Sequence, residues 1–280
     1  MNNDFSALAD MQYSGRAIIL GMTPSGDRFA GYTLQSRSPG NQARKLVQGD
    51  ETKTIRTAFV EDDATLMHMF HVEGEALATL KKHIAESSRA LHMYPTMVVH
   101  KGKLAVSNGA HTKLLYRELS GVFDFSFSPQ NFFHVTFAHS FFEYDEQHDR
   151  FIDLTMYEPD DPNFTSRISG VLGKNNLGFA ILYKNAEESN RHFHAEPMQS
   201  EKAEIVTTYT GGNESPLISF RDQNPLEACV RSTSSQEICE ELYEAIGPKH
   251  GNNYRVAAAV MLIRDGNLET TIINRAERGT

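Results

Sequence analysis

Residues 15–44, GRAIILGMTPSGDRFAGYTLQSRSPGNQAR, hold two strand-like runs around a turn and end in a knot of hydrogen-bonding side chains. Arg16 to Met22 reads as a buried strand. Thr23-Pro24-Ser25-Gly26-Asp27 is turn chemistry, because Pro fixes φ, Gly admits positive φ and Ser and Asp bond back to the backbone. Arg28 to Gln35 is the returning strand. It empties into Ser36-Arg37-Ser38-Pro39-Gly40-Asn41, with Arg44 just beyond. Hydroxyls, an amide and guanidiniums at the exit of a rigid hairpin suit an anionic small ligand, since Arg offers a planar fork of donors.

Outward from this hairpin the chain continues in the same style. Thr52 to Val60 is β-branched enough for a strand, and the acids 61–63 suit a helix start. Glu75 to Ala90 places Ala76, Leu77, Leu80 and Ile84 on one helical face. Residues 95–112 form a second hairpin, turned at Lys101-Gly102-Lys103, and a helix is expected from Thr112 towards Leu119. Strands are expected at Gly178 to Tyr183 and Glu204 to Tyr209. Ser234 to Ile246 reads as a capped amphipathic helix stopped by Gly247-Pro248, and the final hairpin turns at Asp265-Gly266. The Phe-rich stretch 123–142 reads as core packing, its secondary structure undecided. No linker or repeat divides residues 1–280, so one α+β domain is expected, with helices outside two stacked sheets.

A net charge of −9 and a pI near 5.7 argue against a nucleic-acid partner, so local arginines must hold any anion. The longest apolar runs fall short of a membrane span, and the polar opening MNNDFSALAD does not read as a signal peptide; a cytoplasmic protein is expected. Cys229 and Cys239 are expected to be reduced thiols. The histidine pairs 68/71, 134/139 and 192/194 do not form H-E-x-x-H or a zinc-type Cys set, so no metal is expected. Gly170-Val171-Leu172-Gly173-Lys174 lacks the spacing of a phosphate loop. Glu158 with Asp160 or Asp161 could form a carboxylate pair, but solvated surface charge is the expected reading.

Three polar loops each end a strand-rich unit: SRSPGN (36–41), SNGAHT (107–112) and PNFTSR (162–167). Each alone is an ordinary turn. With Arg37, Arg44, His111 and Arg167 they suggest a shared anion site. In this order the loops resemble those of the archaeal-type IMP cyclohydrolase family. Asn163-Phe164-Thr165-Ser166-Arg167-Ile168 is similar to that family's Asn-Thr-Pro-Arg-Ile motif. Thr207-Thr208-Tyr209-Thr210-Gly211, Pro216-Leu217-Ile218-Ser219-Phe220 and Asn253-Tyr254-Arg255-Val256 extend the likeness from Gly15 to about Ile263. Ser166 and Ile218 stand where prolines are expected, and freeing the backbone at Ser166 should cost rigidity.

The resemblance implies a four-layer αββα sandwich of two mainly antiparallel sheets, like that of N-terminal-nucleophile hydrolases. Removal of Met1 would expose Asn2, which is no nucleophile. It also implies dehydrative closure of 5-formamidoimidazole-4-carboxamide ribonucleotide to IMP in purine biosynthesis, with no cofactor. By resemblance Arg37, Tyr94 and His111 are candidates for the chemistry, and Ser36, Ser38, Arg44, Asn108, Thr165 and Arg167 for holding the nucleotide. A packing role for Tyr94 stays open. So do homo-oligomerisation, a non-catalytic nucleotide-binding protein and another amide hydrolase on the same scaffold.

Overall fold

The computed structural model describes residues 3–49, 53–86, 92–121, 128–146, 148–221 and 223–278. The opening hairpin forms as its sequence dictates: β1 (Arg16–Met22) and β2 (Arg28–Gln35) pair antiparallel in the register Ala17↔Thr33, Ile19↔Gly31. It is central rather than peripheral. β12 (Lys202–Thr207) and then β13 (Leu226–Cys229) add beside β1, while β14 (Arg255–Arg264) and β15 (Asn267–Asn274) add beside β2. The six-stranded order is β13-β12-β1-β2-β14-β15, antiparallel throughout.

A seven-stranded antiparallel sheet faces it, ordered β11-β10-β9-β6-β5-β4-β3. Its members are β3 (Arg44–Gln48), β4 (Thr54–Phe59), β5 (Pro95–His100), β6 (Lys103–Ser107), β9 (Arg167–Leu172), β10 (Asn176–Asn185) and β11 (Glu188–Pro197). A separate hairpin pairs β7 (Phe142–Asp145) with β8 (Arg150–Asp153).

Alternation along the strands builds the layers. Ile18 and Leu20 of β1 point into a core shared with Leu104, Val106, Ile168, Phe179 and Ile181 of the other sheet. Ala17 and Ile19 point to the opposite face, where α7 (Ser235–Ala245) packs through Ile238, Leu242 and Tyr243. On the outer face of the seven-stranded sheet, α5 (Thr112–Ser120) and α6 (Pro129–Thr136) cover Ala105, Val171, Ala180 and Leu182. The other helices are α1 (Ser6–Ala9), α2 (Pro39–Gln42), α3 (Asp63–Phe70), α4 (Gly74–Glu86) and α8 (Arg275–Arg278). No helix among the described residues is long and apolar enough to cross a membrane.

Several expectations need correction. The third polar loop, 162–167, does not end in open loop: its last residue, Arg167, begins β9, buried throughout at the middle of its sheet. Strands β3 and β11 carry too many polar residues to stand out by pattern, and β13 is only 4 residues long. The Phe-rich stretch is not uniformly core. Phe132, Phe133 and Phe137 are buried, but Phe141 and Phe142 are exposed, and residues 123, 125 and 127 lie outside the described residues. Cys229 and Cys239 are free thiols.

Candidate functional site

The first residue of β1 begins the site. Gly15 has φ +72°, and a Cβ there would lie 2.2 Å from Thr208 Oγ1, so only glycine lets the chain enter β1 against that residue. Arg16 follows. Its backbone N–H donates to Thr208 Oγ1 at 3.1 Å, and its side chain is buried. Arg44, at the start of β3, and Arg167, at the start of β9, come from the facing sheet, and both are buried.

All three guanidiniums lie near enough to Tyr94 to interact with its phenol. Tyr94 is buried, and its hydroxyl stands 3.2 Å from that of Tyr32 on β2. Burial, with Tyr94 alongside, pushes Tyr32 well above the ordinary tyrosine value, so it stays protonated. Among the described residues, Arg16 Nε, Arg44 Nη1 and both terminal nitrogens of Arg167 are buried without a hydrogen-bond acceptor. Buried donors are nearly always paired, and leaving one unpaired costs about 1–3 kcal/mol. Four such donors from one cluster of arginines can pair with an acceptor-rich, anionic group.

Glu158 is the buried carboxylate of this cluster, which overturns its reading as surface charge. Burial pushes its pKa up, and Arg16 and Arg167 pull it back. Asp160 accepts from the Thr165 N–H at 2.6 Å and from the Thr165 hydroxyl, which in turn stands 2.6 Å from the Tyr209 hydroxyl. Thr165 is therefore engaged within the protein. Tyr209 stacks on Tyr13, ring centroids 5.6 Å apart, and Tyr254 meets Tyr13 edge-on at 5.4 Å. Arg37 lies over the Tyr13 ring at 5.4 Å, its Nη1 donating to Glu214 O at 3.1 Å. An aromatic and cationic rim thus adjoins the arginine cluster.

The second loop holds Arg167 in place. Asn108 Oδ1 accepts from the Ile168 N–H and its Nδ2 donates to Ser166 O, both at 2.8 Å, clamping the backbone on either side of Arg167. Arg167 Nε donates to Met156 O at 2.8 Å, which aims the rest of the fork. Gly109 makes room for it. A Cβ there would meet Arg167 Nη1 at 2.9 Å, His111 Nδ1 at 3.1 Å and Glu158 Oε1 at 3.2 Å, so these three groups share one small space.

His111 is fully buried, with Nε2 3.0 Å from Ser169 Oγ and 3.3 Å from Ile168 O, and Nδ1 unpaired. Burial, and then the charge of Arg167, holds its pKa well below the ordinary 6.5, so the ring is neutral. As pH falls below 6.5 the unfolded chain binds a proton that the folded chain refuses, so stability is present above 6.5 and drains away towards the lower folded pKa. Melting temperatures of wild type and His111→Gln should therefore diverge on the acid side, with the variant losing less. Parallel curves below that pH would contradict a neutral His111.

Ser166 uses its freedom from proline to donate to Phe220 O at 2.7 Å, tying the third loop to the segment after β12. Ser38 caps α2, accepting from the Asn41 N–H at 3.3 Å, and Ser36 is buried behind it. The structure therefore gathers Arg44, Tyr94, Thr165 and Arg167 in one cluster, with Asn108 and His111 supporting it and Arg37 at its rim. The serines 36 and 38 serve the local turn. The sequence pattern does not mark Arg16 and Tyr32 as site residues because each sits inside a regular strand, and it marks Tyr209 only as part of the Thr207–Gly211 stretch. The one available signal was an arginine opening an otherwise apolar strand.

Residues 150–267 match the family model of the IMP cyclohydrolase-like proteins. The IMP cyclohydrolase-like span includes Glu158, Asp160, Thr165, Arg167 and Tyr209, whereas Arg16, Arg44, Tyr94, Asn108 and His111 lie before it. No curated protein matches the chain.

Proposed function

We propose that the protein is an IMP cyclohydrolase, closing the pyrimidine ring of 5-formamidoimidazole-4-carboxamide ribonucleotide to give IMP and water in purine biosynthesis. The observation that carries this is the set of unpaired, buried guanidinium donors around Tyr94, joined to the family match over residues 150–267. The layered sheets fit the N-terminal-nucleophile-hydrolase-like sandwich expected of such an enzyme.

In the reaction the carboxamide nitrogen attacks the formyl carbon. A C–N bond forms and the formyl oxygen takes up negative charge, then a proton, and leaves as water. The two ring nitrogens each give up one hydrogen. Positioning two groups of one substrate is the first demand, and charge stabilisation at the formyl oxygen the second. In this reading Arg167, Arg16 and Arg44 supply donors to the developing oxyanion and neighbouring substrate oxygens. Tyr94, backed by Tyr32, supplies the proton. His111 and Asn108 act by holding Arg167, since their polar atoms face it and its backbone. The tyrosines 13, 209 and 254 with Arg37 offer flat surfaces for the heterocycle.

Incubating the full chain with the formylated ribonucleotide and following product absorbance and water-loss mass change is the direct test. Steady conversion to IMP is expected. Saturable IMP binding without conversion would reduce the protein to a nucleotide binder.

A further inference from the structure

One cluster of metal-ligating groups lies away from the arginine site, where the two sheets meet at an edge. His194 and Glu196 stand on β11, the edge strand of the seven-stranded sheet, two residues apart and so on one face. Glu204 stands on β12 of the other sheet. Opposite it on β1 is Leu20, four residues beyond Arg16, which places the cluster roughly 13 Å along the strand from the arginines. Leu20 belongs to the core between the sheets, so Glu204 faces inward as well, and His194 packs near Phe179 of that core.

His194 Nε2 is 3.2 Å from Glu204 Oε2 and 3.5 Å from Glu196 Oε1, and the three ligand atoms lie within 4.8 Å of one another. Tetrahedral zinc with bonds of about 2.0–2.1 Å puts neighbouring donor atoms about 3.3 Å apart. The His194 separations match that edge. His194 Nε2 and Glu204 Oε2 are inaccessible, and they face each other at ion-pair distance with no other hydrogen-bond partner among the described residues. A cavity of ≈ 50 Å³ adjoins, its charged lining being Glu196, Glu204, Glu227 and Lys202, and Glu227 is directly opposite Glu204 in the strand register.

We propose that His194, Glu196 and Glu204 form a binding site for a divalent transition ion of the zinc class, pinning β11 to β12 across the open edge of the two sheets. A mixed imidazole–carboxylate set favours zinc over magnesium or calcium, which prefer all-oxygen shells. Glu227 adds a third carboxylate beside the two ligand carboxylates, so the edge presents several oxygen acceptors to a cation. The sequence alone hid the site, because its third ligand comes from another sheet.

Calorimetric titration of ZnCl₂ into the chelator-stripped full chain tests this directly. One saturable site per chain and a raised melting temperature are expected, with no comparable response to MgCl₂ or CaCl₂. Glu204→Gln should weaken zinc by more than about tenfold. The metal-free variant should melt close to wild type, because glutamine keeps the size and shape of the side chain. His194→Asn gives a second, independent loss of the same site. Absence of saturable zinc binding, a response to MgCl₂ or CaCl₂ in its place, or zinc binding undiminished in both variants, would overturn the proposal.

Discussion

Conversion of Tyr94 to phenylalanine is expected to lower the rate of ring closure by about a hundredfold or more while leaving IMP affinity little changed, since a positioned acid or base typically contributes about 10²–10⁴. The phenol sits among three buried guanidiniums, with the Tyr32 hydroxyl 3.2 Å away. A hydroxyl held in that position can pass its proton to the departing oxygen. The ring of Tyr94 also packs with Val98, Leu114 and Leu115, and phenylalanine keeps that packing. Loss of one hydroxyl contact should cost only about 1 kcal/mol of stability. Single-turnover kinetics separate the two effects. A variant that folds, binds IMP and retains its rate would return Tyr94 to a packing role, and Tyr32→Phe would then deserve the same measurement.

Arg167→Lys should cost roughly ten- to a hundredfold in affinity for IMP, corresponding to a charge-assisted hydrogen bond of about 1.5–3 kcal/mol. Arg167 is fully buried, with Nε held by Met156 O and both terminal nitrogens free to grip a ligand in one plane. Burial pulls its pKa down from the ordinary value, while Glu158 and Tyr94 oppose that effect, so the guanidinium stays charged. Lysine would keep the charge and lose the fork. If Arg167 served only to balance Glu158, nucleotide affinity would survive the change and the melting temperature alone would respond. Calorimetry with IMP alongside thermal melting distinguishes the two, and an unaltered Kd in a folded variant removes Arg167 from the site.

Local chemistry determined the elements that carry strong local signals. The hairpin at 16–35 and the turn at Asp265-Gly266 were legible because alternation, apolar runs and turn residues act over a few positions. The helix after Ser234 was legible for the same reason, its cap accepting from the Glu237 N–H. The three polar loops could be recognised, with Arg167 in the third and Arg44 just beyond the first, whereas Tyr94 was suggested only by the resemblance to a family. Tertiary structure decided what those residues do. It brought Arg16 from one sheet against Arg44 and Arg167 from the other and buried Glu158 among them. It also used Asn108 and Thr165 for internal bonds. It set His194 and Glu196 against Glu204 across two sheets. Desolvation, and the spending of donors on partners distant in the chain, depend on which strands face one another; spacing along a single sequence holds no record of that.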